Sequence, residues 1–115
     1  MKSYKIDDIR LASTSSTTYV ELLTTNLDVS YVSCQIWWSG VDAFDGSVSL
    51  GVKRSSNAPF NKIPTLVFTI DDEDGSGGGS CILTYKNYHG YAVGILVDKG
   101  TATAGIISIT VLVDE

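Results

Sequence analysis

Positive charge is scarce in this chain. Among 115 residues, eight lysines and arginines stand against thirteen acids, for a formal net charge of -5. No stretch gathers the basic residues together. Nucleic-acid binding needs a basic footprint, so neither nucleic acid nor an anionic membrane is an expected partner. Histidine occurs once, as His89. It sits in Asn87-Tyr88-His89-Gly90, which reads as a turn. Serines and aspartates are plentiful, but none of the serines stands in the G-x-S-x-G elbow that presents a nucleophile. Cysteine occurs twice, as Cys34 and Cys81, with no CxxC and no histidine at zinc spacing. Both are expected as free, buried small hydrophobes. A disulfide would require the fold to bring their two strands together.

Other absences narrow the class. No apolar run approaches the roughly 18 residues of a membrane helix. The opening residues, Met1 to Asp8, have no apolar segment of a secretory signal. Synthesis in a cytosol is the expectation. Proline occurs twice, as Pro59 and Pro64, and both fall in one stretch, residues 55–64, read as a loop. No window sustains a helical period. The weak exception is residues 5–11, where Ile6, Ile9 and Leu11 suit one helical turn.

Strict alternation takes the place of helices. Val32, Cys34, Ile36 and Trp38 share one face, and Tyr31, Ser33, Gln35 and Trp37 share the other. The first set is the better core face. Gly40 ends that run, and Asp45-Gly46 reads as the turn of a hairpin leading to Val48, Leu50 and Val52. Residues 65–70 form a further strand. Residues 81–85 form a short one, and Tyr91, Val93, Ile95 and Val97 give another inward face. Ile107, Ile109, Val111 and Val113 close the chain. Between these runs, residues 12–18 read as a loop or edge, residues 24–28 as a turn and residues 98–105 as a turn. Residues 71–80, Asp-Asp-Glu-Asp-Gly-Ser-Gly-Gly-Gly-Ser, read as a flexible acidic loop.

Seven or eight short strands joined by Gly/Asp/Ser turns are expected to form an all-β fold, a two-sheet antiparallel β-sandwich of jelly-roll or Ig-like type. At this length the chain is expected to be one domain, residues 1–115, with residues 1–18 as an N-terminal arm or edge segment.

No chemistry is motivated by these patterns. Placing Gly75 at the sixth position of a calcium loop puts Ile70 first and Cys81 twelfth, where oxygen ligands are required. An irregular calcium site would have to use Asp71, Asp72 and Asp74. The glycine run lacks the Gly-Lys-Ser/Thr ending of a phosphate loop. Asp42, Asp45 and the acidic loop offer carboxylates for glycoside hydrolysis, yet aspartate is common in turns for backbone reasons. The expectation is no enzyme, no cofactor and no metal. Aromatic residues carry the binding candidates. Adjacent Trp37 and Trp38 must face opposite sides of a strand, so Trp37 lies outward, under a loop or at a partner. Tyr85, Tyr88 and Tyr91 crowd another region. Such rings stack on sugars or anchor protein interfaces, so a host glycan is one candidate partner.

Five segments carry a resemblance: Gln35 to Gly40 (Gln-x-x-Trp-Ser-Gly), Asp45 to Leu50 (Asp-Gly-x-Val-x-Leu), Ser56-Asn57, Tyr91 to Val93 and Gly105 to Val111 (Gly-Ile-Ile-x-Ile-x-Val). Across residues 19–113 the layout resembles the small β-sandwich modules of bacteriophage virion proteins: head fibres, spikes and capsid decoration proteins. Many of those carry an arginine after the Tyr-x-Val, where this chain has Gly94. The resemblance implies a non-enzymatic structural protein of a phage particle, made in the host cytoplasm and located in the virion. It implies self-assembly as a homo-oligomer, with a trimer as the first expectation, and contact with a major capsid or other virion protein.

Overall fold

A computed structural model describes residues 2–14 and 17–114, with side chains described at all of these except 2, 4, 21–30 and 87–90. Six strands follow one another: β1 (Lys2–Arg10), β2 (Thr17–Ser39), β3 (Ser47–Lys53), β4 (Asn61–Thr69), β5 (Gly79–Asp98) and β6 (Ile106–Asp114). All their pairings are antiparallel, and the described residues contain no helix.

Two of the strands organise the fold. β2 has 23 residues and β5 has 20. They pair along nearly their whole length, from Thr17↔Asp98 to Trp38↔Gly79. A straight strand of 23 residues would span roughly 75 Å at about 3.3 Å per residue. The longest extent of the molecule is 39 Å, so the ribbon must bend. Register shifts at Glu21/Leu23 and Thr24/Leu27 supply the irregularity, because extra residues in one strand bend it and increase its twist.

Beyond the bend each strand gains a different neighbour. Residues 31–39 of β2 pair with β6, and β6 pairs with β1. Residues 92–98 of β5 pair with β3, and β3 pairs with β4. The first sheet is therefore β1, β6, the second half of β2 and the first half of β5. The second sheet is the first half of β2, the second half of β5, β3 and β4. These eight strand segments in two packed sheets form the expected antiparallel β-sandwich.

The inward faces are those given by the alternation. Val32, Cys34, Ile36 and Trp38 are buried together with Ile107, Ile109, Val111 and Val113 from the first sheet. Val48, Leu50, Val52, Val93, Ile95 and Val97 face them from the second. Burying large aliphatic side chains at about 25 cal/mol per Å² is the main force holding the layers together.

Several expectations are corrected. Residues 24–28 are interior to β2, not a turn; their polar, turn-forming residues coincide with the irregular register at the bend. The runs at 81–85 and 91–97 are one strand, and the backbone of His89 is paired with Asp28 inside it rather than forming a turn. Residues 5–11 are not helical: residues 5–10 belong to β1. Its register runs from Ile6↔Ile109 to Ile9↔Ile107, three residues on one strand against two on the other. A bulge thus puts Ile6 and Ile9 on one face and imitates helical spacing.

Asp45-Gly46 does not close a hairpin, because the second half of β2 lies in the first sheet, β3 in the second, and the two strands do not pair. Asp45 Oδ1 instead accepts from the Thr101 N–H at 2.9 Å. The proline-bearing loop is shorter than expected. β4 begins at Asn61 and includes Pro64. This strand is at the sheet edge, and Pro64 lies in the stretch where register slips between Val67↔Ser49 and Lys62↔Gly51. An edge bulge needs no N–H from that position.

Both cysteines are reduced. Cys34 is opposite Leu83 and Cys81 opposite Ile36. The two are therefore diagonal neighbours, at roughly 7–8 Å in a regular sheet, too far for a disulfide with Cβ atoms about 3.8 Å apart. Burial pushes the Cys34 thiol from 9.0 up to about 12 and the Cys81 thiol up to about 11, with neighbouring negative charge adding to each. The fold thus disfavours both thiolates. Their contribution to stability is complete below pH 9 and is lost as pH rises from 9 toward 11 and 12. Urea unfolding between pH 8 and 10.5 is expected to show a stability decline that is shallower in Cys34→Ala, by up to about 1.4 kcal/mol per pH unit. Parallel declines would contradict this account of Cys34.

Candidate functional site

Most of the carboxylates expected as possible acids or ligands are committed to the backbone, while Asp71 Oδ1 is buried without a hydrogen-bond partner among the described residues. Asp42 Oδ1 accepts from the N–H groups of Thr103 and Ala104 at 2.8 and 3.1 Å, and its Oδ2 accepts from the Thr103 hydroxyl at 2.6 Å. Asp45 Oδ1 holds Thr101 through both N–H and hydroxyl. Asp74 Oδ1 accepts from the N–H of Ser76 and Gly78 and from the Ser76 hydroxyl. These donors hold all three carboxyls below the ordinary value of 3.8. A general acid for glycoside hydrolysis needs the opposite shift.

The acidic stretch is still a loop, but it is tied down by hydrogen bonds. Asp72 accepts from the Gly77 N–H, Glu73 Oε1 from the Ser80 N–H, and the Gly78 carbonyl from the Glu73 N–H. Among the described residues, no three metal-ligating side chains converge. The larger surface depression, about 380 Å³ between Arg10, Ser39 and Ile106, contains Arg10 as its only charged side chain.

The four aromatic candidates do not form one platform. Trp37 is half-buried on the outer face of the first sheet, opposite Ser80 on one side and Ser108 on the other. Tyr85 packs against the core, across from Val32. The Tyr88 side chain lies outside the described residues. Tyr91 belongs to a different group on the second sheet.

That second group is built from distant parts of the chain. Tyr19 and Phe60 stack with ring centroids 4.6 Å apart, and the Tyr19 hydroxyl donates to the Phe60 carbonyl at 3.2 Å. Lys53 Nζ lies 5.6 Å from the Phe60 ring centroid and 5.8 Å from that of Tyr91. Gly51 and Gly94 are opposite one another beneath the Tyr19 and Phe60 rings. A Cβ at Gly51 would meet the Tyr19 ring at 3.6 Å, and one at Gly94 would meet the Phe60 ring at 3.2 Å. The glycines make room for the aromatics. Tyr19 keeps 40% of its surface exposed, so the group presents a ring to solvent.

The outer face of the first sheet has a different chemistry. On the same face as Trp37 lie Ser33, Gln35, Ile82, Thr84, Thr110 and Leu112. Ser33 and Thr84 join their hydroxyls at 2.9 Å. A shallow depression of about 300 Å³ runs between Ser33, Gln35, Ile82 and Leu112. Ile82 is 66% exposed, the highest value for a large apolar residue here. Formal charge is confined to the margin, where Lys5 pairs with Asp8 at 3.4 Å and Asp8 accepts from the Ser108 hydroxyl.

Tyr19, Phe60, Lys53 and Ile82 were not singled out from sequence. Glycines within two alternating strands were a usable signal for the first three, and apolar residues on both faces of 81–83 for the fourth. A scan against protein-family models finds no match, and neither does a search of curated proteins.

Proposed function

We propose that this chain is a non-enzymatic structural protein of a phage particle, exposed on a capsid or spike and acting by packing against copies of itself and against capsid protein. The observation that carries the reading is the outer face of the first sheet. It is broad, hydroxyl-lined and uncharged at its centre, with Trp37, Leu112 and the 66% exposed Ile82. Interface centres are depleted in charge and enriched in aromatic residues, and that face has this composition. The carboxylates add support, since Asp42, Asp45 and Asp74 each already serve a loop. The resemblance to phage β-sandwich modules supplies the setting. Light scattering at micromolar concentration is expected to give a mass above that of the monomer, with co-sedimentation on capsids from a lysate that carries the gene. Monomer alone, with no capsid binding, overturns the reading.

One observation favours a second reading, a carbohydrate-binding module. The stacked Tyr19 and Phe60 offer a ring face for a sugar. On this reading a glycan array gives a signal that Tyr19→Ala abolishes while Trp37→Ala leaves it intact. A blank array sinks it.

A further inference from the structure

Among the described residues the sandwich has four open strand edges, and they are not alike. β1 carries Lys5, Asp7, Asp8 and Arg10 and is interrupted by its bulge at Ile6/Ile9. β4 carries Lys62, Pro64 and the register slip around it. The first half of β2 is interrupted at Glu21/Leu23. Charges, prolines and bulges are the usual protections against edge-to-edge pairing. Residues 79–86 of β5 have none of the three before Lys86. Their register against β2 runs without a slip from Trp38↔Gly79 to Tyr31↔Lys86. Among the described residues no strand lies on the other side.

The direction of the free groups can be read from the loop. The Ser80 N–H donates to Glu73 Oε1 and the Gly78 carbonyl accepts from the Glu73 N–H, so the even-numbered residues turn their backbone groups away from β2. By alternation Ile82, Thr84 and Lys86 do the same. The edge therefore offers a row of N–H and carbonyl groups, ended at one side by Glu73 and at the other by Lys86.

We infer that residues 79–86 of β5 pair antiparallel with the same residues of a second copy of this chain, joining two first sheets into one eight-stranded sheet across a two-fold axis. This names the self-association surface of the proposed function and rests on that reading. Centring the axis on Leu83 places Ile82 opposite Thr84 of the second copy and Ser80 opposite its Lys86. Lys86 of each copy then lies beside Glu73 of the other, twice per dimer. A parallel arrangement would bring lysine to lysine and glutamate to glutamate. A two-fold contact is self-complementary by symmetry, and this segment carries its positive and negative ends in the order that an antiparallel pairing needs.

Charge reversal tests the pairing. Sedimentation equilibrium of the full chain is expected to give a dimer. Lys86→Glu alone and Glu73→Lys alone should each weaken it by roughly tenfold or more through like-charge juxtaposition. An equimolar mixture of the two variants should restore a heterodimer, since both pairs are then opposite in sign. Ile82→Pro, which removes an outward N–H and leaves the β2 ladder intact, should be monomeric with an unchanged far-ultraviolet spectrum. If that variant misfolds, the charge-reversal mixture decides alone. Dimers that persist in every variant, or a mixture that stays as weak as its components, overturn the edge while leaving self-association by another surface. A wild-type monomer throughout also overturns it; if such a monomer still sediments with capsids, the particle reading stands without it.

Discussion

Trp38→Ala is expected to remove roughly 3–5 kcal/mol of stability, the range for deleting a buried aromatic. Small domains have about 5–15 kcal/mol in total, so this variant should sit at the margin of folding. Trp38 is 2% exposed and does three things at once. Its ring is 6.0 Å from that of Phe68, which links the first sheet to the edge strand of the second. Its Nε1–H donates to the Asp71 carbonyl at 2.7 Å, which fixes the start of the acidic loop. It also lies over Gly79, where an added Cβ would be 2.8 Å from the indole. Trp38→Phe separates these roles. It keeps most of the packing and leaves the Asp71 carbonyl without its donor, at a cost of about 1–3 kcal/mol. Urea unfolding followed by far-ultraviolet circular dichroism measures both. A loss below about 0.5 kcal/mol in Trp38→Ala, the scale of an ordinary surface change, would contradict the placement of this ring.

Gly77→Ala should have the next largest effect, and Gly75→Ala is its control. Both glycines have φ of +81°, a backbone region that costs an L-residue roughly 1–2 kcal/mol. Their surroundings differ. A Cβ at Gly75 meets nothing within 4 Å, whereas one at Gly77 would sit 2.3 Å from the Val41 carbonyl oxygen and 2.7 Å from its nitrogen. Both of those atoms are backbone, so no side-chain rotation relieves the overlap. The Val41 N–H also donates to the Gly77 carbonyl at 3.0 Å, the bond that ties the acidic loop to the crossover between the sheets. Gly75→Ala should cost only the conformational part. Gly77→Ala should cost at least about 2 kcal/mol more, since overpacking against rigid structure adds to strain. Equal unfolding midpoints for the two would show that the loop does not approach the crossover in this way.

The sequence made the layers legible and left their connection hidden. The alternating faces from Val32 to Trp38, Val48 to Val52, Val93 to Val97 and Ile107 to Val113 are read directly, because a strand with one buried face needs period two. The continuity of β2 and β5 is not, because residues 24–28 have the composition of a turn and instead accompany the bulges where the ribbon bends. Ile6 and Ile9 mislead for a related reason: a bulge shifts parity by one and makes a strand look helical. Asp45-Gly46 has hairpin chemistry, yet its carboxylate serves a loop more than fifty residues away.

The surface features were hidden by distance along the chain. Tyr19 and Phe60 stack where the sheet brings Gly51 and Gly94 side by side beneath them. Trp37 was correctly placed outward, but Tyr85 shows that neighbouring tyrosines need not share a face. Ile82 gained its significance from topology, since only the strand order makes 79–86 an edge.

We propose that this chain is a structural part of a phage particle. Quantitative mass spectrometry of particles purified on a density gradient, from a lysate carrying the gene, tests it most directly. The account predicts peptides of this chain in the particle fraction, at a fixed ratio to the major capsid protein that survives a salt wash. Peptides found only in the soluble fraction, with none retained on particles, would contradict it.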